Sequence, residues 1–60
     1  MDDFTDTLTG VMEQAAISGL CRDGQMEIVI QEAHKIDPNI CRDDLIELAE
    51  RIYGILHDSI

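Results

Sequence analysis

The chain contains no tryptophan, one tyrosine, one phenylalanine and one proline among its 60 residues. Its core must therefore be built from Leu, Ile, Val, Met and Ala rather than from rings, and few positions carry a built-in backbone break. Basic residues are also scarce: four Lys and Arg stand against thirteen Asp and Glu, a formal net charge of -9. That balance works against direct contact with DNA, RNA or anionic lipid, whose phosphates need cations to neutralise them. No apolar run approaches the roughly eighteen residues of a membrane span. The N-terminus MDDF is acidic where a secretory signal would be basic, so a cytoplasmic setting without membrane attachment is expected. Cys21 and Cys41 show no CxxC spacing, which favours free thiols, each a partly buried small side chain at a helix approach.

The patterns that carry chemistry are missing too. No serine sits in a nucleophile elbow, no glycine-rich phosphate loop is present, and the DGQMEI segment at Asp23 lacks the oxygen spacing of a calcium loop. Cys21, His34, Cys41 and His57 are zinc-ligand types, but the close ligand pair that makes zinc motifs specific is absent. Cys41 near a helix start is a minor redox candidate, with Asp43 opposing it. Glu47 and Glu50 fall on an outward helix face, a poor place to match an acid with a base. His34 lies beside an inward face and reads as a packed or boundary histidine. With little room for a concave pocket, the chain is expected to be no enzyme and to need neither cofactor nor metal.

What the sequence does contain is helical periodicity. Residues 45–56, LIELAERIYGIL, place Leu45, Ile46, Leu48, Ala49, Ile52, Tyr53, Ile55 and Leu56 on one half of a helical wheel. So wide an apolar face predicts a helix packed against two neighbours rather than a coiled-coil seam. A first helix is predicted over residues 3–18, with Phe4, Leu8, Val11, Met12, Ala15 and Ala16 inward, Asp2, Asp3 or Thr5 capping it, and Gly19 just past its end. Residues 20–24 read as a turn short enough for an antiparallel hairpin. A second helix follows from about Gln25 to Lys35 or Ile36, with Met26, Val29, Ile30, Ala33 and Ile36 inward. The β-branched MEIVI segment at Met26 would also suit a strand, but the apolar spacing continues to Ile36 and stops at the DPN of residues 37–39. Asp43 or Asp44 is expected to cap the third helix, the Asp44 and Glu47 spacing resembling a capping box, with Glu47 and Arg51 as a weak i,i+4 pair. The tripeptide CRD precedes both the second and third helices at a spacing of twenty residues, a faint internal echo.

These elements predict one all-α, three-helix domain over residues 1–60, a helical hairpin covered by a third helix, with no linker or targeting tail. A domain this small has little core of its own, and a homodimer is expected to supply the missing burial. The expected function is non-enzymatic protein binding, as a regulator or inhibitor. Ile17, Ile28, Ile46, Tyr53 and Ile55 are the candidate contact residues, Tyr53 first because aromatics concentrate interface energy. Asp43, Asp44, Glu47 and Glu50 are the candidates for steering a basic partner. Two other readings stay open: a nucleic-acid mimic, whose carboxylates would follow a phosphate track, and a helix-turn-helix module using Arg42 and Arg51, against which the surrounding acids argue.

Overall fold

In a computed structural model that describes residues 3–57, the described residues form three helices: α1 (Asp3–Ile17), α2 (Arg22–Ile36) and α3 (Arg42–His57). All three pack against one another, and no strand occurs among the described residues, so residues 26–30 are helical. The all-α, three-helix fold expected from the sequence is the fold observed.

Each helix turns its periodic apolar stripe inward. Leu8, Met12 and Ala15 of α1, Met26, Val29 and Ala33 of α2, and Leu45, Ala49 and Ile52 of α3 are buried. Phe4, Val11, Ile30, Ile40, Leu48, Tyr53 and Leu56 are half-buried around this core. Full burial of a Leu, Ile, Val or Met side chain contributes about 1.5–3 kcal/mol, and Leu8, Met12, Val29 and Ile52 have that degree of burial.

Helix α1 ends as its glycine requires. Gly19 adopts φ 90°, a left-handed conformation costly to any residue with a Cβ. The Gly19 amide donates to the Ala16 carbonyl at 3.0 Å and the Leu20 amide to the Ala15 carbonyl at 3.1 Å, the paired bonds of a Schellman turn. Leu20 then folds over Gly24, where an added Cβ would stand 3.3 Å from the Leu20 Cβ.

The second and third helices start earlier than the sequence suggests. Cys21 is extended at φ -74° and ψ 175°, and its carbonyl accepts the Gln25 amide at 2.9 Å, so α2 begins at Arg22 rather than near Gln25. The Cys41 carbonyl likewise accepts the Leu45 amide at 3.1 Å. Asp43 and Asp44 therefore lie inside the first turn of α3 instead of capping it. Their charge, like that of Asp23 in α2, still meets the positive end of the helix dipole. The CRD echo is thus a shared way of opening a helix, with the cysteine outside and the aspartate at the second helical position. In α1, Asp3 and Thr5 are already helical; Asp2 and residues 58–60 lie outside the described residues.

The DPN segment stops α2 as expected. Pro38 disfavours helical backbone at Asp37, which sits at φ -139° and ψ 88°. The Asp37 carboxylate accepts the Asn39 amide at 3.2 Å and its carbonyl accepts the Ile40 amide at 3.3 Å, forming a compact turn into α3. Ile36, expected inward, is 52% exposed because it lies one turn beyond Ala33, past the end of the buried stripe.

Candidate protein-binding surface

Packing three short helices leaves grooves between them, and these organise the surface. The α1–α2 groove holds about 490 Å³ and its apolar lining comes from Val11, Ala15, Leu20 and Ile28, with Gly10 and Glu32 beside them. A smaller α1–α3 groove of about 210 Å³ is formed by Glu13, Ala16, Ile17, Leu56 and His57. Between the end of α2 and the start of α3, a third of about 350 Å³ is lined by Ile30, Gln31, His34, Ile40, Arg42 and Leu45.

The five apolar candidates do not share one groove. Ile17 is 79% exposed on the α1–α3 side, whereas Ile28 is half-buried in the α1–α2 groove. Ile46 and Tyr53, two helical turns apart, lie half-buried on one flank of α3. Ile55, 56% exposed, stands half a turn round the helix from Ile46. Tyr53 has a double role in the packing: it lies against the core, and the Arg22 guanidinium sits 5.4 Å from its ring centroid.

All four steering candidates are exposed on α3. Asp44 and Glu47 line a shallow depression with Leu48 and Arg51. The Glu47–Arg51 pair does not close among the described residues, where the ion pairs are Arg22 with Asp23 at 3.9 Å, Arg22 with Glu50 at 3.8 Å, and Lys35 with Glu32 at 3.4 Å. Such exposed pairs contribute only about 0–1 kcal/mol each.

A polar junction that the sequence reading missed fastens α3 to the α1–α2 turn. Gln25 is buried; its Nε2 donates to the Leu20 carbonyl at 2.8 Å, and its Oε1 lies 3.2 Å from His57 Nε2. Because a carbonyl can only accept, the Leu20 bond fixes which way the amide points, and His57 Nε2 must carry the proton it shares with Gln25. The His57 ring lies 4.2 Å from that of Tyr53, tilted by 34°. One signal was available beforehand: Gln25 precedes Val29 by four residues and falls on the same stripe, but its polar side chain hid it.

The residues singled out for chemistry stay apart. Cys21 and Cys41 are both free and exposed rather than partly buried, because each lies outside its helix, where no neighbouring helix covers it. His34 is exposed at the edge of the α2–α3 groove. No group of three or more His, Cys, Asp or Glu among the described residues is placed to hold a metal ion, and no helix there is long and apolar enough to cross a membrane. No family model, no curated protein and no solved structure matches the chain.

Proposed function

We propose that this chain is a non-enzymatic protein-binding regulator or inhibitor that receives a basic amphipathic helix in the α1–α2 groove. The observation that carries the reading is Gly10. It occupies the interior of α1, where glycine costs about 0.5–1 kcal/mol relative to alanine, yet a Cβ there would meet nothing within 4 Å. Nothing among the described residues requires that glycine; Gly54 on α3 has the same open space, but of the two it is Gly10 that borders an apolar groove. The open space beside Val11 and Ile28 suits the close approach of another backbone, and those apolar side chains supply contact. The net charge of -9 supplies long-range attraction for a cationic partner. Two exposed free thiols fit a reducing, cytoplasmic setting.

A homodimer is the second reading, favoured by the exposure of Ile17, Ile36 and Ile55. The two readings differ in the sign of their salt dependence. Two copies of charge -9 repel, so salt should strengthen self-association, whereas salt should weaken a complex with a cation-rich helix. Sedimentation equilibrium from about 50 to 500 mM salt reads the first. NMR titration with a helical Leu/Lys peptide reads the second: shift changes centred on Gly10, Val11 and Ile28 and weaker binding at high salt are expected. Changes spread over the outward acids of α3, with the groove unaffected, would overturn the assignment.

A further inference from the structure

The α2–α3 groove differs from its neighbours in charge. Thirteen acids are spread along the chain, and the three depressions described above beside it each include at least one of them: Glu32, Glu13, or Asp44 with Glu47. The lining of the α2–α3 groove has no carboxylate. It has instead an apolar wall of Ile30, Ile40 and Leu45 and three polar side chains, the Gln31 amide, the His34 imidazole and the Arg42 guanidinium.

Arg42 is also unlike the cations that are already engaged. Arg22 lies within 4.0 Å of Asp23 and Glu50, and Lys35 within 4.0 Å of Glu32, while Arg42 takes part in no ion pair among the described residues. Its sequence neighbours Asp43 and Asp44 project about 100° and 200° further round α3, away from its own direction. As the first residue of that helix it also stands at the positive end of the dipole. A guanidinium matches a carboxylate through two parallel hydrogen bonds, and the imidazole and amide offer further donors.

We propose that the α2–α3 groove binds a small aliphatic monocarboxylate, its chain against Ile30, Ile40 and Leu45 and its carboxylate on Arg42, with His34 and Gln31 at the same rim. The volume of about 350 Å³ lies at the small end of ligand sites, which favours a medium-chain acid over a folded partner. Because Arg42 and His34 are exposed, the carboxylate keeps much of its water and the binding is weak, on the order of millimolar. This site is independent of the α1–α2 groove.

The test is an NMR titration of the full chain with decanoate and, in parallel, with uncharged decanamide. Decanoate should shift Ile30, His34, Ile40 and Arg42, and decanamide should bind several-fold more weakly. Arg42→Gln, an exposed change that leaves the core intact, should weaken decanoate roughly three- to tenfold, while Arg51→Gln should not. Equal binding of acid and amide, an unchanged affinity in Arg42→Gln, or shifts confined to the other grooves would each overturn the proposal.

Discussion

Gln25 and His57, 32 residues apart in sequence, meet at 3.2 Å, and through Gln25 the last turn of α3 is tied to the Leu20 carbonyl in the α1–α2 turn. One buried amide on α2 thus joins the α1–α2 turn to the last turn of α3. Removing it deprives the Leu20 carbonyl of that donor and releases His57. Gln25→Ala should cost about 1–3 kcal/mol in urea denaturation, and His57→Ala less, since its ring is exposed. Additive losses in the double variant would show that the two residues are not coupled.

Core truncation should be severe in a chain this small. Leu8→Ala and Ile52→Ala each delete a fully buried side chain and should cost about 2–5 kcal/mol, enough to leave much of the population unfolded. Ile52→Val removes a single methylene and should cost only about 0.5–1.5 kcal/mol. Circular dichroism melts of the three variants check the order.

The four glycines should respond with different signs. Gly10→Ala and Gly54→Ala fill open space on helices and should each stabilise by about 0.5–1 kcal/mol. Gly19→Ala forces a Cβ onto backbone at φ 90° and should destabilise by about 1–2 kcal/mol. At Gly24 the gain in helix propensity meets a 3.3 Å contact with Leu20, so alanine there should stabilise less than at Gly10. Chemical denaturation of the four single variants ranks them.

Gly10 also separates stability from binding. A bulky side chain there, as in Gly10→Leu, should leave the fold intact, since Gly10 lies outside the buried core and faces open space, while blocking the α1–α2 groove. Loss of Leu/Lys peptide binding with a melting temperature no lower than that of the unsubstituted chain is the expected result. Retained binding would move the peptide site elsewhere.

Elements governed by local chemistry were legible in the sequence. The Gly19 turn, the stop at Asp37 and Pro38, and the inward faces around Leu8, Val29 and Ile52 each follow from a few neighbouring residues. The helix starts were harder, because Asp43, Asp44 and the residues after Cys21 carry turn-like chemistry that serves equally well inside a first turn. The exposure of Ile36 and the burial of Gln25 depend on where helices end relative to one another, which no single-helix wheel contains. For the candidate surface, Ile17 and Ile28 are absent from the predicted inward faces of their helices; their separation into two grooves is a property of the packing.

The links between helices are short, running from Ser18 to Cys21 and from Asp37 to Cys41. Each helix is therefore delivered to its neighbour with little loop to close before contact is made, and little chain entropy opposes the encounter. Chains dominated by such near-sequence contacts fold on the microsecond-to-millisecond scale.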